Sequence, residues 1–267
     1  MTKLKFYLII LLIMALIFGY GSFFYPHSAA RPEGISLQRP SKEHFLGTDD
    51  LGTDIFAQLS KGFFISVFIG ITTAIIAMFL GGSIGMVSGY VGGKTDFLIS
   101  FVINLFLSLP QLPVMIVVGA FFGQSIGNVI AIIALFSWAA IAKVVRAKTL
   151  QIKRNTYLHL AKSYGASFFY LFRKHLFTEV FPLLLINSLT VVGRAILQEA
   201  SLAFLGLSDP LTRSWGLIIN KAMSFTGIYY TDYWQWWLLP PVTCLVLTIY
   251  CLRMIAREAE NLIIGAD

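Results

Sequence analysis

Apolar residues fall in runs at about 6–25, 63–89, 97–122, 126–142, 180–207 and 237–252, separated by polar stretches at 26–62, 143–179 and 208–235. A helix needs roughly 20 apolar residues to cross the hydrocarbon of a bilayer. Lipid offers no partner to unpaired backbone groups, so each run predicts a spanning helix. The expected architecture is an all-α integral membrane protein with about six transmembrane helices and both ends of the chain on one side. Its one long polar and basic interruption lies between Trp138 and Pro182.

Composition agrees with that pattern. The chain is 57% hydrophobic and 12% charged, against about 45–50% and 25% in soluble domains. Six spans and their loops use most of the 267 residues, which leaves no length for a soluble catalytic domain. The net charge of +7 would suit nucleic acid or anionic lipid, but the basic residues sit in loops and at span ends, so topology explains them and no nucleic-acid partner is expected. With the N-terminus inside, 13 Lys and Arg fall on the inner side and six on the outer, with Arg194 within a span. The positive-inside rule then puts 143–179 and both termini in the cytoplasm, in a multi-pass cell-membrane protein whose surroundings are the lipid bilayer. Lys3 and Lys5 precede an apolar run of about 20 residues, longer than the 7–15 of a signal-peptide core, so an uncleaved anchor is expected despite the cleavage-like HSAA at 27–30. The expected division is 1–62 (anchor helix and extracytoplasmic segment), 63–256 (transmembrane domain with the 143–179 loop) and 257–267 (cytoplasmic tail).

Several positions inside the spans carry a structural expectation. Gly81, Gly85, Gly89 and Gly93 recur every four residues and predict a smooth helix face for close backbone packing. Pro110 and Pro113 in SLPQLP predict a bend in the third span, and a broken helix at that depth is tolerated where it lines a cavity or packs on protein. Arg194 and Glu199 lie in the fifth span, where a central charge costs roughly 2.5–3.5 kcal/mol. Five residues apart, they point about 140° from each other on a helix and cannot easily neutralise one another. The aromatic 208–235 segment reads as an interfacial belt.

Catalytic and metal chemistry find little support. GYVGGKT (89–95) lacks the first glycine of a phosphate loop, since position 88 is Ser88, and it sits in a turn between spans, not between a strand and a soluble helix. His27, His44, His159 and His175 include no pair at helical metal spacing. His27 and His44 read as exposed histidines of an outer segment without a ligand role, so no metal site is expected. Cys244 and Cys251 lie about 10.5 Å apart along a helix, beyond the roughly 7 Å reach of a disulfide.

Within the basic loop, Thr156 to Tyr164 favours a helix that Gly165 can close in a left-handed conformation. Ser167 can cap a second short helix starting at Phe168. Two short helices joined at a glycine predict a knob that shows Leu158, Leu160, Phe168, Phe169 and Phe172 among Lys162, Arg173 and Lys174. A partner groove or an anionic lipid surface would suit such a knob.

YLHLAKSYGASFFYLFRKHLFTEVFP (157–182) resembles the cytoplasmic coupling motif of ATP-binding-cassette (ABC) import permeases. FLGTDDLGTDIFAQL (45–59), SGYVGGKTDFLISFVINLFLSLPQLP (88–113) and ILQEASLAFLGLSDPLTRSWG (196–216) are similar to further signatures of the peptide-and-nickel branch, so the resemblance covers most of the chain. It implies the type I importer permease fold. It also implies a permease subunit, not an enzyme, of an ATP-driven importer for peptides, nickel or a metal chelate. The implied partners are a homologous second permease, two ABC ATPases and an extracytoplasmic substrate-binding protein. ATP and magnesium would belong to the ATPases, with no cofactor in this chain. On this resemblance Tyr157, His159, Ala161, Gly165, Ala166, Ser167 and His175 couple to the ATPase, while Pro110, Pro113, Arg194 and Glu199 are candidates for the pathway. The chain departs from the family at His159, which takes the place of a glutamate, at Leu160 for an alanine, at Phe177 for a proline and at Thr53 for an arginine. The alternative is an ATP-independent channel or secondary carrier with Arg194 and Glu199 at the midplane, for which no inverted repeat is evident.

Overall fold

The structure is a computed structural model and describes residues 2–157 and 163–264. Its helices are α1 (Thr2–Phe23), α2 (Ile55–Val91), α3 (Gly93–Ser108), α4 (Gln111–Phe122) and α5 (Ile126–Lys153), followed by α6 (Phe168–Leu171) and α7 (Phe177–Phe204). After these come α8 (Trp215–Ser224), α9 (Trp234–Trp237) and α10 (Leu239–Ile264). Five helical stretches are long and apolar enough to cross a membrane, and α3 with α4 makes a sixth span bent by 89°.

That bent pair connects opposite ends of the bundle. At one end, here the Gly92 end, Lys153 at the close of α5 donates to the carbonyl of Tyr90 near the close of α2, at 2.6 Å. At the other, the Asp54 end, Gln124 just after α4 donates to the carbonyl of Gly206 just after α7. Because α3 starts beside Gly92 and α4 finishes beside Gly206, the pair traverses the bundle. The bend itself follows from Pro110, whose ring pushes Leu109 out of helical conformation (ψ 138°). Pro113 falls in the first turn of α4, where its missing N–H costs no helical bond. The two prolines therefore act differently, and the bend belongs to Pro110.

The predicted glycine stripe packs inside the subunit. A Cβ on Gly81 would lie 2.5 Å from the Trp138 carbonyl, one on Gly85 2.6 Å from the Ala142 carbonyl, and one on Gly89 2.7 Å from Thr149. The α2 and α5 backbones approach closely because these three positions carry no side chain. Gly93 is not part of that seam. It has φ 58°, and nothing lies within 4 Å of where a Cβ would stand.

Two expectations need correction at the Asp54 end. The second span begins at Ile55, not near 63, because Asp54 caps the helix by accepting from Ala57 N at 2.8 Å. The extra turns bury Ile55 and Leu59 completely, so the boundary expected at 62 lies inside α2. The aromatic segment is only partly an interfacial belt. Trp215, Trp236 and Trp237 are buried in a core with Met14 and Phe18 of α1 and Phe63 of α2, whereas Tyr229, Tyr230 and Trp234 are exposed. Trp215 also donates its indole N–H to the Leu59 carbonyl at 3.0 Å, which satisfies the polar edge of a ring that would otherwise resist burial.

Candidate functional site

The Gly92 end carries the basic loop. Asp96, in the first turn of α3, accepts two hydrogen bonds from Arg146 of α5, at 2.5 and 2.7 Å, and one from Ser88 of α2 at 2.6 Å. This bidentate pair fastens the α2–α3 turn to α5, and such pairs are among the stronger charged contacts. Beyond it the chain leaves α5 at Lys153 and returns at Phe168.

The returning arm of the knob is longer than the short helix expected. Ser167 caps the new helix, its hydroxyl accepting from Tyr170 N at 3.3 Å. The helix does not stop as a short element. It passes through a π-helical turn, Phe172–Leu176, directly into α7. Leu171 and Leu176 are buried in the same core as Ile152, Val180 and Leu184. The second half of the knob is thus the first turns of the fifth span, with its base embedded in the bundle. Phe172 also packs towards that core, which corrects the expectation that it is displayed outward.

The coupling residues expected from the sequence separate into three groups. His159 and Ala161, with Leu158, Leu160 and Lys162, lie outside the described residues. Gly165 is exposed with φ 82° and no atom within 4 Å of where a Cβ would stand, so its left-handed conformation is what selects glycine. Ala166 is half-buried against the core and Ser167 is exposed. Tyr157 and His175 meet, their rings 5.3 Å apart, and Tyr170 stacks edge-on to the other side of His175 at 6.0 Å. The Tyr157 hydroxyl donates to Glu179 of α7. Partial burial, and then that carboxylate, hold its phenol above the ordinary value. Lys174 covers the Tyr170 ring at 5.2 Å. The outcome is an exposed basic and aromatic surface, including Tyr164 at 89% exposure, fixed to α7 from below.

The pathway candidates do not form one cluster. Pro110 and Pro113 are exposed at the 89° bend. Arg194 is exposed on α7 and lines a cavity of about 190 Å³ with Thr190, Leu197, Ile249 and Arg253. Glu199 points the other way. It is fully buried, with Ser208 as donor to one carboxylate oxygen at 3.4 Å. It stands next to Ala200, whose Cα would lie 2.4 Å from a Cβ on Gly216 of α8. Arg194 and Glu199 therefore do not pair, as their spacing predicts. Sequence reasoning overlooked Gln111 and Gln198, which hydrogen-bond across α4 and α7 at 3.0 Å beside the open face bearing Arg194. The available signal was two amides inside otherwise apolar runs, which need a partner at that depth.

Residues 81–257 match the family described as binding-protein-dependent transport system inner membrane component. The chain belongs to that family. The permease is 33% identical over 259 residues to the dipeptide transport system permease protein DppC of Bacillus subtilis (strain 168), covering 96% of this chain and 78% of the relative. It is 31% identical to the oligopeptide transport system permease protein OppC of the same organism, over 79% of this chain and 68% of the relative. Among solved structures, the MetNI methionine ABC transporter in inward-facing conformations is similar with TM-score 0.51 and 18% identity, over 73% of this chain and 94% of that chain. This last likeness concerns the fold, which is that of an ABC importer permease. The family match contains the bent span, the knob and α7 but not α1 or residues 24–54. The permease is a transport component, and ATP hydrolysis belongs to other subunits of such systems.

Proposed function

We propose that this permease forms half of the translocation pathway of an ATP-driven peptide importer in a bacterial cell membrane. Its knob faces the cytosol and its Asp54 end faces the binding protein. A homologous second permease covers the open face of α4 and α7, and two ABC ATPases seat the two knobs. Peptide cargo is favoured by the dipeptide and oligopeptide permeases among its relatives; no observation favours nickel. The positive charge gathered in 143–179 supports the cytosolic placement of that end and of both termini.

The observation that carries the coupling role is the unbroken helix from Phe168 through the π-helical turn into α7. A push on the exposed knob is delivered to a spanning helix whose open face bears Arg194, with buried Leu171 and Leu176 preventing the base from yielding. Nucleotide binding by the ATPases supplies the differential free energy, and the permease transmits it between its inward- and outward-open states.

Gly165→Leu is the sharpest test. The space around Gly165 is open, so the leucine meets no clash, but a left-handed backbone costs an L-residue roughly 1–2 kcal/mol. In proteoliposomes containing the second permease, ATPases and binding protein, we expect normal membrane levels, peptide uptake reduced at least about tenfold, and ATPase activity no longer stimulated by loaded binding protein. Full uptake with normal stimulation would overturn the coupling role.

A further inference from the structure

Residues 24–54, which precede the 81–257 family match, bring together two histidines and a carboxylate that are far apart in sequence. One ring nitrogen of His27, one of His44 and a carboxylate oxygen of Asp54 all lie within 4.8 Å of one another. The rings are 4.5 Å apart between centroids. His44 is not the exposed residue expected from the sequence; it is 2% exposed, and Asp54 is 1% exposed.

Hydrogen bonding has oriented both rings. His44 Nδ1 stands 2.8 Å from Asp54 Oδ2, and His27 Nδ1 stands 3.3 Å from Glu33 Oε2. The short His44–Asp54 contact sets an imidazole nitrogen and a carboxylate oxygen side by side, as two ligands of one ion stand, and the Glu33 contact orients the His27 ring. A carboxylate behind an imidazole, as Glu33 stands behind His27, is the arrangement that orients a histidine ligand for a metal. No hydrogen bond reaches either Nε2 among the described residues. At His44, Nε2 is turned towards Gly34, where a Cβ would lie 2.7 Å away, so Nδ1 is the atom that faces the cluster. Tyr25 donates to Asp54 Oδ2 at 3.0 Å.

The geometry points to a divalent transition-metal site formed by His27 and His44, with Asp54 beside them, that ties the exit of α1 to the start of α2. Two imidazoles and one carboxylate suit Zn²⁺ and its borderline neighbours, not Ca²⁺ or Mg²⁺. A tetrahedral ion sets its ligand atoms about 3.4 Å apart, so an inward shift of about an ångström completes the shell, with water in the open position. His27 lies on the segment that leaves α1, and His44 and Asp54 lie on the segment that enters α2. The ion would clamp those two strands together.

The test uses the full-length permease purified in detergent and stripped with EDTA. Zn²⁺ is titrated against a chromophoric chelator, and Co²⁺ is added to read its visible absorption. We expect one equivalent of Zn²⁺ per chain, a higher melting temperature with the ion, and the Co²⁺ bands of a four- or five-coordinate nitrogen–oxygen site. His27→Ala should weaken Zn²⁺ binding at least about tenfold and abolish those bands. Its melting temperature in EDTA should stay near that of the parent, because His27 is bonded only to exposed Glu33. Glu33→Gln, which keeps both rings, should weaken binding by about tenfold. Failure of the parent chain to bind one equivalent, or retention of the same affinity and Co²⁺ spectrum by His27→Ala, would overturn the site and leave a hydrogen-bonded network only.

Discussion

The polar segments at the two ends of this bundle are built in opposite ways. At the Asp54 end, Asp49 accepts from Leu51 N, Thr53 N and Gln58 Nε2, Asp54 caps α2, and three tryptophans fill a core shared with α1. Asp49, Asp54 and Trp215 are turned inward and find their hydrogen-bond partners within one chain. At the Gly92 end only the base of the knob is embedded, and the aromatic and basic side chains above it, such as Tyr164, Tyr170 and Lys174, face outward. Equally polar loops thus serve different ends. One completes its own fold, and the other withholds surface that a partner can cover.

The comparison is broken most severely at Trp215. This side chain is fully buried among Phe18 and Phe63, with its indole N–H bonded to Leu59. Trp215→Ala should cost about 3 kcal/mol or more, seen as a large fall in melting temperature of the purified permease. An unchanged melting temperature would mean that the Asp54 end is not the self-contained core described above.

Trp215 also marks how far the sequence could be read. Six apolar runs, the bend at SLPQLP and the glycine seam were legible because each depends on local periodicity or on a single residue's backbone chemistry. The destination of an aromatic residue in a loop is not local. Trp215 and Trp234 look alike in sequence, yet one is core and the other exposed, decided by α1 and α2 packing against one and not the other. The same limit hid the His27–His44–Asp54 cluster, whose members are assembled by the path of the 24–54 segment and not by spacing along a helix. In the knob, Ser167 and Gly165 were readable as a cap and a left-handed turn. The uninterrupted run into α7 was not, because FFYLF is too short to reveal that it continues as a spanning helix.

A smaller effect is expected at Asp49. Removing its carboxylate leaves the buried Thr53 N–H without an acceptor and the buried Gln58 amide with only its long 3.5 Å contact to the Thr53 carbonyl. Orphaned buried donors cost about 1–3 kcal/mol, so Asp49→Ala should lower stability by about 2 kcal/mol while leaving the knob untouched. Thermal unfolding should shift down, and the surviving folded fraction should still stimulate the ATPases normally. Loss of stimulation in proportion to correctly folded protein would instead show that the two ends are energetically coupled.

The smallest effect on stability, and the most informative, belongs to Tyr164. At 89% exposure it contributes little to the permease's own packing, and Tyr164→Ser should leave the melting temperature of the isolated subunit unchanged within error. If the knob is a surface held in reserve for a partner, the same substitution should weaken assembly with the ATPases, because exposed aromatic residues become anchors once an interface covers them. Pull-down of ATPase by the permease should therefore fall in Tyr164→Ser but not in Asp49→Ala. Equal recovery in both variants would place the partner's footprint away from the Gly165 turn and would dissolve the contrast between the two ends.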